Sequence, residues 1–184
     1  MRKTSKGKPS KTARAKARTA KKPAKVSPLP KGYAAVTPYL IVAGADGAID
    51  FYKEAFGAKE RLRMAHDGKV GHAELVIGGS VVMLADEWPD FEARGPRAIG
   101  GTPVSIHLYV KNVDATVERA VAAGAVIKRP IENQFYGDRT ATLEDPYGHK
   151  WHVATHVEDV PPRELRRRAD EAFKKHQENK AADA

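Results

Sequence analysis

The sequence predicts an α+β fold made of two tandem βαβββ modules. The first observation is an internal repeat, in which YLIVAGADGAIDFYKEAFGAK from Tyr39 parallels HLYVKNVDATVERAVAAGAV from His107 at an offset of 68 residues. The second is that an alternating apolar segment opens each copy and is followed by apolar residues at helical spacing. The third is a Gly-Ala pair that ends each predicted helix, at Gly57 and at Gly124.

Each copy then continues with alternating segments that predict strands. These segments cover residues 71–77, 81–85, 139–143 and 149–155. The predicted hairpin turns are Gly78-Gly79 in the first copy and Pro146-Tyr147-Gly148 in the second. Two similar units therefore follow one another along the chain.

Strand alternation sorts the side chains onto two faces of each sheet, because successive residues point to opposite sides. One face is aliphatic and is expected to lie under the helices; in the second copy we place Val104, Ile106, Leu108, Val110 and Trp151 there. The opposite face mixes polar and apolar side chains, which is typical of a pocket wall. Its members include Thr37, Tyr39, His72, Glu74, Met83, Ser105, His107, Tyr109 and His152.

The net charge of +9 is concentrated at the N-terminus. Residues 1–32 contain 12 Lys or Arg and no acidic residue, whereas residues 33–157 contain 13 basic and 16 acidic residues. With four prolines and no aromatic residue, the segment 1–32 is predicted to be disordered. It is interpreted as a solubilising tail or, through residues 1–31, as a nonspecific electrostatic tether to nucleic acid or an anionic membrane.

The expected domain organisation follows from these shifts in composition. Residues 33–157 form the folded domain, with modules at about 33–95 and 103–157, and residues 158–184 form a charged C-terminal helix or tail with seven basic and seven acidic residues. That helix is expected to be solvated or packed in a dimer.

Composition also excludes several classes of protein. The chain has no cysteine, so disulfides, thiolate zinc sites, iron–sulfur clusters and a cysteine nucleophile are excluded. No stretch reaches the roughly 18 apolar residues that span a bilayer, and the N-terminus lacks the apolar core of a secretory signal. We therefore expect a soluble, cytoplasmic protein with no transmembrane segment.

Three strings of the folded domain resemble the glyoxalase/bleomycin resistance/dioxygenase superfamily, also called vicinal oxygen chelate, and within it the PhnB-like branch. They are AIDFYKEAFGA, GHAELVIGGSVVMLADEWP and QFYGDRTATLEDPYGHKWHVATHVEDV, and the resemblance covers about residues 33–160. It implies two modules whose sheets curl into an incomplete barrel around one cavity, commonly in a homodimer. It also implies a range of functions, among them glyoxalases, epimerases, ring-cleaving dioxygenases, fosfomycin thiol transferases and proteins that sequester antibiotics.

The resemblance further implies where a metal would be held. Its metal-using members carry ligands on the first and last strands of each module, at positions that correspond here to Thr37, Met83, Ser105 and His152. Only His152 is a good ligand for a divalent ion at neutral pH. No cofactor is therefore expected, and the metal-dependent glyoxalase and dioxygenase activities are placed in doubt.

Two alternatives to this reading remain open. A divalent metal could be held at a shifted site made of His72, Glu74, His107 and His152. A metal-free enzyme could instead use His152, His107 or Glu74 as a catalytic acid or base. The polar residues would otherwise line a cavity without performing chemistry.

The leading functional hypothesis is a binding protein that holds or sequesters an unidentified small organic ligand in the cavity without a metal. The residues expected to line its site are Thr37, Tyr39, His72, Met83, Ser105, Tyr109 and Trp88. The alternatives are a lyase, isomerase or dioxygenase-type enzyme, and a protein tethered to nucleic acid through its basic tail. In every case the expected partner is a second copy of the chain, in a homodimer.

Deletion of residues 1–31 tests the predicted domain boundary. The thermal midpoint of the shortened chain should stay close to that of the full chain, because the tail has almost no apolar surface to bury. Any affinity for DNA, measured against salt concentration, should fall sharply. A loss of several degrees would place the boundary elsewhere.

Overall fold

The structure, a computed structural model, describes residues 26–182. Residues 1–25 of the predicted disordered tail therefore lie outside the described residues. The first module consists of β1 (Tyr39–Val42), α1 (Ala45–Phe56), β2 (Lys59–His66), β3 (Lys69–Ile77) and β4 (Ser80–Asp86). The second consists of β5 (Ser105–Tyr109), α3 (Val113–Ala122), β6 (Val126–Asn133), β7 (Asp138–Glu144) and β8 (Lys150–His156).

Two further segments complete the described chain. Between the modules runs a linker with a 3₁₀ turn (Pro89–Phe91) and the short helix α2 (Pro96–Ile99), and after the second module comes α4 (Pro162–Ala182). Arg168, in the second turn of α4, forms an ion pair with Glu158, which precedes the helix, at 2.8 Å. No helix in the described part of the chain is long and apolar enough to cross a membrane.

The two sheets have the same topology. Their strand orders are β1-β4-β3-β2 and β5-β8-β7-β6, with the first strand of each module parallel to the last and the remaining neighbours antiparallel. The predicted α+β fold of two βαβββ modules is confirmed, and the sheets do not close into a single barrel. We call them the first sheet and the second sheet.

Helices α1 and α3 each pack on the sheet of their own module and also on each other, so the two modules share one hydrophobic core. The predicted helix-covered faces are mostly confirmed, with Leu75, Leu84, Leu143 and Trp151 fully buried. Val104 is an exception: it lies just before β5 and is 69% exposed, so its assignment to the core was wrong. Val104 was assigned to the core by strand alternation, and alternation applies only to residues that lie within a strand of the sheet.

The buried carboxylate of Asp145 joins the two modules. It lies in the turn before β8 and accepts hydrogen bonds from the Tyr52 hydroxyl of α1 (2.7 Å) and from the indole Nε1 of Trp151 (2.9 Å). The backbone N–H groups of Tyr147 and His149 each donate to its other oxygen at 2.9 Å. Burial raises the pKa of Tyr52 well above its usual value, and the Asp145 charge adds to the effect.

Truncation of Trp151 should be strongly destabilising. Its ring packs against Tyr52 and Phe56 of the first module, with ring centroids 5.4 and 4.6 Å apart, and it is fully buried. We expect Trp151→Ala to lower the free energy of unfolding by about 3 to 5 kcal/mol in a denaturant titration. Trp88→Ala is the control, since Trp88 is 37% exposed and should cost far less. Equal losses would contradict the core assignment.

Candidate functional site

Two histidines lie side by side on the second sheet, on the face away from the helices. His107 of β5 and His152 of β8 are partners in the parallel ladder, and their ring centroids are 6.2 Å apart. The Thr142 hydroxyl of β7 lies 3.0 Å from Nδ1 of His152. The sheet therefore presents two imidazoles and a hydroxyl at one level.

These side chains open onto a cavity of about 400 Å³, which we call the histidine pocket. It is lined by His107, Arg129, Pro130, Glu132, Gln134, Tyr136, Thr140, Ala141, Thr142 and His152. Burial lowers the pKa of His152, and the nearby His107 and Arg129 lower it further. His152 is therefore a neutral imidazole at pH 7, with one donor and one acceptor nitrogen.

A chain of hydrogen bonds extends from Tyr109 to the end of β8. The Tyr109 ring lies beside His107, with centroids 4.7 Å apart, and its hydroxyl donates to Asp138 at 2.7 Å. The other oxygen of Asp138 contacts Nδ1 of His156 at 2.7 Å, and Nε2 of His156 contacts Asp159 at 3.0 Å. This network fixes the Tyr109 ring at the edge of the site.

The charges in this network reinforce one another. Burial would raise the pKa of Asp138, but the hydrogen bonds from His156 and Tyr109 outweigh it and the pKa is lowered. Hydrogen bonds to Asp138 and then Asp159 raise the pKa of His156. Sequence reasoning missed Asp138 and His156. Their alternation with Thr140 and His152 on the same sheet face was the available signal.

The first sheet carries a separate polar cluster. The Tyr39 hydroxyl lies 3.0 Å from Nδ1 of His72, and Nε2 of His72 lies 3.3 Å from the carboxylate of Glu74. The Tyr33 hydroxyl donates to the same carboxylate, and Arg61 approaches it at 3.6 Å. The hydrogen bond from Tyr33 lowers the pKa of Glu74 most, which makes this buried carboxylate a weak base.

The remaining candidate residues are dispersed. Thr37 precedes β1, and its hydroxyl donates to the Ala34 carbonyl at 3.1 Å; in the ladder it is Tyr39 that lies beside Met83. Ser105 lies beside Lys150, one row below the histidine pair.

Trp88 follows β4 and joins Tyr39 in an apolar groove of about 430 Å³ on the first sheet. Lys69 lies over its indole ring, 4.7 Å from the centroid. Of the residues predicted for one pocket, the structure therefore brings His107 and His152 together with Tyr109 beside them, and it places Tyr39, His72, Glu74, Met83 and Trp88 on the first sheet.

The donor set does not fit the metal that the fold family implies. The two histidines of the second sheet have a threonine hydroxyl beside them, and the Glu132 carboxylate of the same pocket does not join them in a group that could hold a metal ion, whereas His72 and Glu74 belong to the first sheet. Within residues 26–182 no group of three or more His, Asp or Glu side chains could hold a metal ion. The structure thus divides the four residues of the shifted site between two sheets.

Comparison with known proteins identifies the family. Residues 33–153 match the model of the Glyoxalase/Bleomycin resistance protein/Dioxygenase superfamily, and the chain belongs to that superfamily. A protein of Mycobacterium bovis is 45% identical over 130 residues, which are 68% of this chain and 86% of that protein. The resemblance stated from the sequence is therefore confirmed.

Solved structures agree with this assignment. The crystal structure of TioX from a Micromonospora species is 28% identical and has a TM-score of 0.55, covering 67% of this chain and 99% of that one. The PhnB protein of Bacillus cereus is 19% identical with a TM-score of 0.54, covering 66% and 99%, and this second likeness shows the fold alone.

The metal content of the purified protein tests the conclusion that the side chains of the candidate site do not hold a metal ion. Protein purified without chelator should carry far fewer transition-metal ions than chains when measured by inductively coupled plasma mass spectrometry. Added zinc, nickel or iron should leave the melting temperature nearly unchanged, because a metal that binds the native state would raise it by mass action. Stoichiometric metal with strong thermal stabilisation would contradict this conclusion.

Proposed function

We propose that this protein binds a small organic ligand in the histidine pocket without a resident metal. The observation that carries the proposal is the pair of His107 and His152 on neighbouring strands at one level, facing a cavity of about 400 Å³. A few polar groups that converge on a cavity of this size are typical of small-molecule sites.

The chemistry of the pocket indicates how such a ligand would be held. Neutral His152 and the Thr142 hydroxyl offer both donors and acceptors, which suits carbonyl and hydroxyl groups. Tyr109 donates its hydroxyl to Asp138, so its ring rather than its oxygen is available to the ligand. A planar ligand group would stack against this ring and the His107 imidazole.

Binding without chemistry is favoured over metal-dependent catalysis. The glyoxalase and dioxygenase reactions use a metal as the Lewis acid, and the donor set on the second sheet does not fit one. Sequestration of a ligand needs only shape and hydrogen bonds, which the pocket provides. This is the function that the geometry supports best.

A metal-free lyase or isomerase is the second candidate. One observation favours it: His152 has a lowered pKa, so the form that can accept a proton is the populated one at pH 7. His152 would be the base, and its Nδ1 is oriented by Thr142 at 3.0 Å. Among the described residues no carboxylate is hydrogen-bonded to His107, because the nearby Asp138 is held by Tyr109 and His156, and Glu74 lies on the first sheet.

The proposal includes a homodimer. Large apolar side chains are exposed along the first sheet and the linker, namely Val36, Tyr39, Met64, Phe91, Ile99 and Val104. Several of them line a groove of about 590 Å³ between β1 and β5, each of which is one of the two edge strands of its sheet. A second copy of the chain would cover this surface and the apolar groove beside Trp88. Contact of nucleic acid with residues 1–31 remains a separate proposal, tested by the deletion above.

Native mass spectrometry of the full chain with a library of small organic compounds tests the ligand site. Compounds that bind the parent should be lost from His107→Ala and His152→Ala, because each change removes an imidazole from the pocket wall. Binding should fall by at least about tenfold, the effect of losing one good polar contact. The same spectra should show the mass of a dimer.

The matched control is His66→Ala, since His66 is a histidine at the end of β2 with a side chain 92% exposed. This variant should bind as the parent does, and all three variants should keep the parent's melting temperature within about 2 °C. Unchanged binding in both pocket variants would refute the site.

A further inference from the structure

A second cavity lies between the linker and the end of the second sheet. This cavity of about 340 Å³ shares no residue with the histidine pocket, and we call it the linker pocket. It is lined by Pro96, Arg97, Gly100, Gly101, Thr102, Lys128, Glu144, Gly148 and Lys150. Its three basic residues come from three different elements, α2, β6 and β8.

The charges in the linker pocket are not balanced. Glu144 is its one acidic residue, and its two carboxylate oxygens lie 3.4 Å from Arg97 Nη2 and 3.5 Å from Lys128 Nζ. Both contacts are long and both basic side chains are about half exposed, so each pair is weak. Lys150 forms no ion pair with any residue from 26 to 182 that the structure describes, which leaves an excess of two positive charges.

The backbone holds this arrangement in place. Gly148 has φ of 90°, and a Cβ there would lie 3.0 Å from Cβ of Pro96 and within 3.6 Å of the Arg97 side chain. At the other side of α2, the N–H of Gly95 donates to Glu87 at 2.7 Å. The linker is thus packed closely against the turn before β8, and Arg97 is brought to the two lysines by these contacts.

We propose that the linker pocket binds an oxyanion, the phosphate or carboxylate group of a small molecule. Three like charges around one cavity repel one another, and a bound oxyanion would relieve this repulsion while accepting charge-assisted hydrogen bonds from all three. The planar guanidinium of Arg97 suits two parallel hydrogen bonds to two oxygens of such a group, and Lys128 and Lys150 contribute point charges. The inference goes beyond the proposed function, because it depends on none of the residues of the histidine pocket.

A titration with inorganic phosphate, followed by the backbone amide signals in nuclear magnetic resonance, tests the proposal. The full chain is used at constant ionic strength, so that general screening does not change. Saturable shifts are expected at Gly100, Gly101 and Gly148, which line the pocket. A parallel titration with acetate shows whether the site prefers a phosphate or a carboxylate, since saturation by the tighter ion identifies the class.

Lys150→Gln and Arg97→Gln should each weaken phosphate binding about tenfold, the effect of removing one charged contact. Lys59→Gln is the control, because Lys59 is an exposed lysine on β2 of the first sheet. It should bind as the parent does. Absence of saturable shifts at the three glycines, or equal affinity in the parent and Lys150→Gln, would overturn the proposal. Neither result affects the test of the histidine pocket, in which His107→Ala loses bound compounds. Each of the two proposals can therefore be refuted without the other.

Discussion

The four hydrogen bonds to the buried Asp145 carboxylate determine where the candidate site lies. They bind the Tyr52 hydroxyl of the first module and the Trp151 indole of the second to one group that is 1% exposed. A buried carboxylate is costly unless its hydrogen bonds are made, so both aromatic rings must occupy these positions in the folded protein. Because Trp151 points into the shared core, its neighbour His152 must point to the opposite face. The register of β8 then places His152 beside His107.

The two modules are equivalent as scaffolds and different as sites. Asp86 at the end of β4 accepts hydrogen bonds from the N–H groups of Gly44 and Ala45 at the start of α1. Thr155 near the end of β8 accepts the N–H of Val113 at the start of α3 in the same way. Sheet faces are less constrained than helix starts, and there the repeat diverges: Tyr39 and Met83 occupy the row that His107 and His152 occupy in the second module.

Much of this could be predicted from the sequence, because strand alternation alone separates core from pocket face. Alternation assigned Trp151 to the core face and assigned His107 and His152 to the pocket face, as the structure has them. Alternation does not specify register between strands, however, and the carried-over positions Thr37 and Ser105 fall one row away from Met83 and His152. Contacts such as those of Asp138 with Tyr109 and His156 join residues 18 or more positions apart. Only the folded sheet brings such residues together.

An irregularity in β6 relates the two pockets. Regular alternation would direct Lys128 and Arg129 to opposite faces of the second sheet. Both nevertheless line cavities on the face away from the helices. Lys128 lies in the linker pocket with Glu144 and Lys150, and Arg129 lies in the histidine pocket with Thr142 and His152. The pairing of β6 with β7 shifts between Ile127 and Arg129, so the extra residue changes the direction of the side chains at this point. One bulge therefore supplies a positive charge to each pocket, and the histidine pocket and the linker pocket adjoin along the same strand.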